Sequence, residues 1–214
     1  DMPLALGPVK VVPYALGELA RWGEALDGET LDWAFYQAGI RSSLPVWRTF
    51  PGVRNPLFNL NGLAHKAVFD LEVAFAEANR NYDELPLYDP LDDTSITELR
   101  RRLFDPTLSP NIDFTDQKFD PRFYAIRTGM QSWVAAPAAE MVEDQFVVRS
   151  GVRQRLQTKR GGPGRQHLVD WMTLDFNASY FPNEDRDNLG QDFGLLDYDF
   201  RWHVGDRLTI VSDG

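Results

Sequence analysis

From Met172 to Tyr180 the even positions are Met172, Leu174, Phe176, Ala178 and Tyr180, and the odd ones are Thr173, Asp175, Asn177 and Ser179. A side-chain period of two belongs to a β-strand with one apolar and one wet face. The pattern repeats at once: Leu196, Tyr198, Phe200, Trp202 and Val204 alternate with Asp197, Asp199, Arg201 and His203. Val204-Gly205-Asp206-Arg207 then reads as a tight turn, and Leu208 and Ile210 open another strand.

Earlier segments carry the same signal. Tyr36, Ala38, Ile40, Leu44 and Val46 oppose Gln37, Arg41 and Ser43. Leu63, Ala67, Phe69, Leu71, Val73 and Phe75 oppose Lys66, Asp70 and Glu72. Val148, Val152 and Leu156 lie opposite Arg149, Arg153, Arg155 and Lys159. Residues 9–22 alternate less cleanly, because Glu18 falls on the face that carries Tyr14, Leu16 and Trp22. The spacing predicts strands over 9–22, 33–48, 61–77, 145–160, 168–181, 195–204 and 207–212. Several run well past the roughly five or six residues usual in a globular sheet and past the roughly 9–11 that cross a bilayer.

The connections alternate in length. Gly161 to Gln166 and Gly205-Asp206 are short, and Phe50 to Leu60 reads as a Pro/Gly/Asn turn region. Gly23 to Thr30 is short to medium, Pro182 to Gly194 is medium and acidic, and residues 80–143 form one very long connection. Within it Asp89, Asp92 and Asp93 lie in a proline-punctuated acidic stretch, and Thr97–Phe104 and Arg122–Ala136 read as short helices. Short turns at one end and long loops at the other follow the rule for up-and-down outer-membrane barrels, which places the 80–143 loop outside.

Composition narrows the chemistry. The net charge of −10 argues against nucleic acid as a partner. The absence of cysteine removes thiolate metal sites, disulfides and cysteine nucleophiles together. No run of about 18 apolar residues occurs, which excludes a helical membrane span but not a barrel. His65, His167 and His203 lack metal spacing. Asp185-Arg186-Asp187-Asn188-Leu189-Gly190 begins like a calcium loop, but Leu189 replaces an oxygen donor. Gly161-Gly162-Pro163-Gly164 joins two strands rather than opening a helix, so it is no phosphate loop. Asp175, Asp197 and Asp199 are explained by a wet face beside Arg201 better than by acid/base catalysis. No catalytic, cofactor-binding or metal residue is assigned, and an enzyme is not expected.

The reading is therefore all-β. Residues 1–214 are expected to belong to a single antiparallel up-and-down transmembrane β-barrel domain, with about six to seven long strands and one long external loop. Trp22, Trp47, Phe50, Tyr180, Phe181 and Trp202 fall near strand ends, as girdle residues at a membrane interface would. A soluble β-sandwich also alternates and is the distant alternative. The chain is read as an internal fragment, with its export signal expected upstream.

Several stretches resemble the barrel of the lipopolysaccharide-assembly protein LptD family (organic solvent tolerance, OstA/Imp) in a divergent branch. They are Gly7-Pro8-Val9-Lys10-Val11-Val12-Pro13-Tyr14, Gln37-Ala38-Gly39-Ile40-Arg41, Asn59-Leu60-Asn61-Gly62-Leu63-Ala64-His65-Lys66 and Leu87-Tyr88-Asp89-Pro90-Leu91-Asp92-Asp93. Arg155-Leu156-Gln157-Thr158-Lys159-Arg160-Gly161, Val169-Asp170-Trp171-Met172 and Asp197-Tyr198-Asp199-Phe200-Arg201-Trp202 complete the set. The resemblance implies a translocon of the cell outer membrane that delivers lipopolysaccharide to the outer leaflet. Its implied partners are a plug lipoprotein, a periplasmic lipopolysaccharide-transport bridge and outer-membrane lipid, with no cofactor and no catalysis. The family's periplasmic jelly roll is absent from these residues. Its lateral gate is weakened by prolines, and Pro13 and Pro45 each delete a ladder donor. Another outer-membrane barrel, a porin or a lipid or solvent transporter, is the alternative.

Overall fold

The computed structural model describes residues 2–25, 28–81, 84–85, 144–162, 164–205 and 207–214. They form β1 (Leu4–Leu6), β2 (Val9–Trp22), β3 (Leu31–Asn55), β4 (Leu60–Ala78), β5 (Gln145–Arg160), β6 (His167–Tyr180), β7 (Phe193–Val204) and β8 (Leu208–Asp213). One helical turn, α1 (Glu184–Asp187), lies between β6 and β7. The strands make one sheet in the order β1-β2-β3-β4-β5-β6-β7-β8, and every pairing is antiparallel. This is an all-β, up-and-down, barrel-like fold.

The expected strands are all present, with one addition and several changes of boundary. β1 is a three-residue strand that alternation is too short to reveal. β3 continues to Asn55 instead of stopping at 48, so Phe50 to Leu60 is not one turn region. The register shift between Phe50 and Arg54 explains this. Residues 51–53 are the extra length of a bulge, where Pro and Gly are admitted inside a strand. The true turn is Pro56 to Asn59, closed by Asn59 N–H donating to the Pro56 carbonyl at 3.3 Å. At the other boundary Phe181 has left β6 and joined the loop.

Four connections lie at one end of the sheet: β1–β2 at Gly7-Pro8, β3–β4, β5–β6 and β7–β8. All are short. Gly161, opening the β5–β6 turn, has φ +105°, and a Cβ there would lie 2.5 Å from the Arg165 carbonyl oxygen. The other end carries β2–β3, the β4–β5 connection and the β6–β7 loop with α1, all longer. Of the 80–143 connection only Arg80, Asn81, Glu84 and Leu85 are described. Asp89, Asp92, Asp93 and the two expected helices lie outside the described residues.

The prolines sit where the ladder is one-sided. β2 pairs with β1 over Leu4–Leu6 and accepts one further bond, from the Met2 N–H to the Pro13 carbonyl at 3.1 Å, and β3 loses its β2 neighbour beyond Ser43. Pro13 lies at the start of the open edge of β2, and Pro45 and Pro51 lie on the open stretch of β3. A residue without N–H is tolerated at such places.

Candidate functional site

Cross-strand partners share a face, so the register assigns every strand residue to one side. One side takes Val11, Ile40, Leu44, Phe69, Leu71, Val73, Val152, Phe176, Leu196 and Tyr198. The other takes Lys10, Arg41, Asp70, Glu72, Arg149, Arg153, Asp175, Asn177, Asp197 and Arg201. A cavity of about 410 Å³ on this second side draws its lining from six strands, β2 through β7. The sheet therefore curls around its charged face. The wet side is concave and the apolar side convex, which inverts the arrangement of a soluble globule.

On the convex side the register gives a band free of charge. Between Glu77, opposite Tyr36 at one rim, and Arg48, opposite His65 at the other, no Asp, Glu, Lys or Arg faces outward among the described residues. The apolar side chains of this band are not covered: Ile40 is 52% exposed, Phe69 49% and Leu196 53%. Aromatic groups border it. Near the long connections, Tyr36 packs with Phe75 at 6.2 Å and Tyr180 with Phe193 at 5.5 Å between ring centroids. Near the tight turns, Phe58 reaches Trp171 at 6.3 Å and Trp202 at 5.7 Å, and the two indoles meet edge to face at 5.8 Å. Nine steps along β6 separate Trp171 from Tyr180. At ~3.3 Å per residue that is about 30 Å of strand, or about 23 Å of height at the ~40° tilt of a barrel.

The concave side is layered. Its middle is built around Glu72, which is 19% exposed and accepts Arg41 Nε at 2.8 Å, Tyr14 Oη at 2.7 Å and Arg149 Nη1 at 3.3 Å. The Arg41 guanidinium lies 4.2 Å from the centre of the Tyr14 ring. Tyr14 lies across Gly39, where a Cβ would come within 2.6 Å of the Val73 carbonyl oxygen. One step along, Asp70 accepts two bonds from Arg153, and Asn177 donates to Asp197 at 3.0 Å. Further along the register aligns Asp175, Asp199 and Asp213, with Arg201 bound to Asp199.

Near the long connections the same face turns apolar. Trp33, Phe35, Ala76 and Leu85 form a buried cluster with Trp22 against it, and Ala74, Val147 and Phe181 form another. The β6–β7 loop is pinned above them by Asp187, fully buried, which accepts the Phe146 N–H at 2.9 Å and two bonds from Arg186. That carboxylate raises the pKa of the Arg186 guanidinium above its usual value.

Two expectations about faces are corrected. On β2 the face with Tyr14, Leu16, Glu18 and Trp22 is the concave one, so Glu18 is no intrusion; Val11, Pro13, Ala15 and Leu19 face outward. The girdle assignment also divides. Phe50, Tyr180 and Trp202 fall on the convex ladder, whereas Trp22 and Phe181 pack inside and Trp47 aligns with Lys66 on the concave ladder.

The structure does not bring the histidines together. His65 meets Gln154 at 3.1 Å, His203 meets Thr209 at 2.9 Å, and His167 opens β6. Among the described residues no three His, Asp or Glu side chains are grouped for a metal ion. Asp185 and Asp187 of the calcium-like stretch belong to α1, with Asp187 engaged as above. Gly161 to Gly164 sit in the β5–β6 turn. Alternation within β2 does not reveal the Glu72 cluster, since it puts Tyr14 on the apolar face, away from Glu72. No protein-family model and no curated protein matches this chain.

Proposed function

We propose that the chain is a bilayer-spanning arc of an outer-membrane β-barrel, forming part of a translocon that assembles lipopolysaccharide in the outer leaflet. The observation that carries the spanning part is the convex band. Five consecutive cross-strand rows, from Ala38–Phe75 to Val46–Ala67, carry no charge outward, while the same strands crowd ions on the concave side. Its height between the aromatic groups is close to the ~25 Å apolar belt of such barrels. Antiparallel up-and-down pairing from strand to strand is the arrangement of strand-built membrane proteins, since lipid offers backbone amides no partners. A β-sandwich would lay a second sheet over the convex face, and the described residues form one sheet.

The narrower reading, lipopolysaccharide assembly, rests on the resembling stretches alone. The test uses the full-length protein in cells. Single cysteines at positions 176 and 177 separate the two faces: a water-soluble thiol reagent should label 177 through the lumen, and a lipid-borne quencher should reach only a probe at 176. Equal labelling at both sites would refute the bilayer reading. A photo-reactive side chain at Ser43 should then capture lipopolysaccharide. Labelling as expected without such capture would leave a porin-like barrel in its place.

A further inference from the structure

The two ends of the sheet differ in charge. The long connections carry Glu24, Glu29, Glu84, Asp144, Glu184, Asp185, Asp187 and Asp192 against Arg80 and Arg186, and at the strand ends beside them Arg21 pairs with Asp32. The tight turns and strand ends beside them carry Arg48, Arg54, Lys159, Arg160, Arg165 and Arg207, with Asp170 the opposing carboxylate among the described residues.

Between the β5–β6 and β7–β8 turns lies a cavity of about 490 Å³, lined by Arg160, Arg207, His203, Thr209, Val169 and Asp170 among others. Arg160 reaches over β6 to donate from Nη2 to the His203 carbonyl at 3.4 Å. Guanidinium forks match phosphate oxygens.

We propose that this tight-turn rim binds the phosphate headgroups of anionic phospholipids in the leaflet it meets. Arg160 and Arg207, which line the cavity, take the phosphate. The proposal rests on the bilayer reading above. A lipid is favoured over a free anion because the cations stand where the charge-free convex band ends, as headgroups stand above acyl chains.

The test places the full-length protein in phosphatidylcholine vesicles with trace spin-labelled phosphatidylglycerol or phosphatidylcholine, and measures the motionally restricted fraction of each label. The native protein should favour phosphatidylglycerol, with each arginine contributing about fivefold at the site. The double variant Arg160→Gln/Arg207→Gln should lose that preference, and Arg21→Gln at the opposite end should keep it. Equal restriction of both labels by the native protein would overturn the headgroup site and leave the bilayer reading intact. An unchanged preference in the double variant would overturn it as well. Restriction of neither label would refute the bilayer reading itself. Inorganic phosphate, added at constant ionic strength, should leave the preference in place; its loss would assign the cavity to a free anion.

Discussion

Arginine at Phe176 is the most demanding substitution for the bilayer reading. Phe176 is on the convex side of β6, opposite Val152 and Tyr198, and is 38% exposed. It stands four residues from Tyr180 and five from Trp171, about 10–13 Å in height from either aromatic border at ~3.3 Å per residue and ~40° tilt. That is near the middle of the apolar belt, where a cation on a barrel's lipid face costs about 2–4 kcal/mol. Asn177, one residue along, faces the concave side and donates to Asp197 at 3.0 Å. Arginine there forfeits one hydrogen bond, about 1 kcal/mol, and is offset by the carboxylates of Asp197 and Asp175. Urea titrations of the full-length protein refolded in vesicles would read both values. The same change at Met172 or Tyr180, close to the borders, should cost no more than about 1 kcal/mol. A soluble sheet packed against another layer has no such depth dependence. A flat penalty along the convex side, or a larger one at 177 than at 176, would refute the reasoning.

Glu72→Leu should destabilise by about 1–3 kcal/mol, since Arg41, Arg149 and Tyr14 lose a common acceptor; a cost shared by Glu72→Gln would show that the charge is immaterial. Gly39→Ala should cost about 1–3 kcal/mol through overpacking, and because the nearer obstacle is the Val73 carbonyl, removing the Tyr14 ring should not rescue it. Thr158→Val removes a buried hydroxyl that donates to the Gly62 carbonyl and accepts the Asn61 N–H, so about 1–3 kcal/mol should be lost and Phe58 should move off the indoles, seen as a shift in tryptophan emission. Asp187→Ala leaves the Phe146 N–H without its acceptor, so protease should cut the β6–β7 loop faster while β6 and β7 keep their amide protection.

The strands from β3 to β7 were legible because large apolar side chains alternate with ionised ones, and a one-residue slip would put Asp175 or Arg153 on the wrong side. β2 misled for a physical reason. Its convex side is made of Val11, Pro13, Ala15, Gly17 and Leu19, smaller on average than Tyr14, Leu16 and Trp22 inside, so size pointed to the wrong face. The concave face also turns apolar near the long connections, where Trp33, Phe35 and Leu85 pack, and there the contrast between faces disappears. The continuation of β3 was hidden by the bulge at residues 51–53, whose Pro and Gly are also turn formers. The Glu72 cluster and the cavity between the tight turns depend on register between distant strands, which period-two patterning within one strand does not encode.

If the sheet spans a bilayer as proposed, the one-sided ladder of β2 limits how it enters the membrane. From Tyr14 to Trp22 the edge away from β3 has no strand beside it among the described residues. Alternate amides and carbonyls of those nine residues point outward, and in hydrocarbon each unmatched group costs several kcal/mol. The neighbouring strand must therefore arrive while the edge is still in water or held by an escort that lends it a strand. On the bilayer reading insertion is then a concerted event, in which the pairing along this β2 edge is the last made and the first to open under strain.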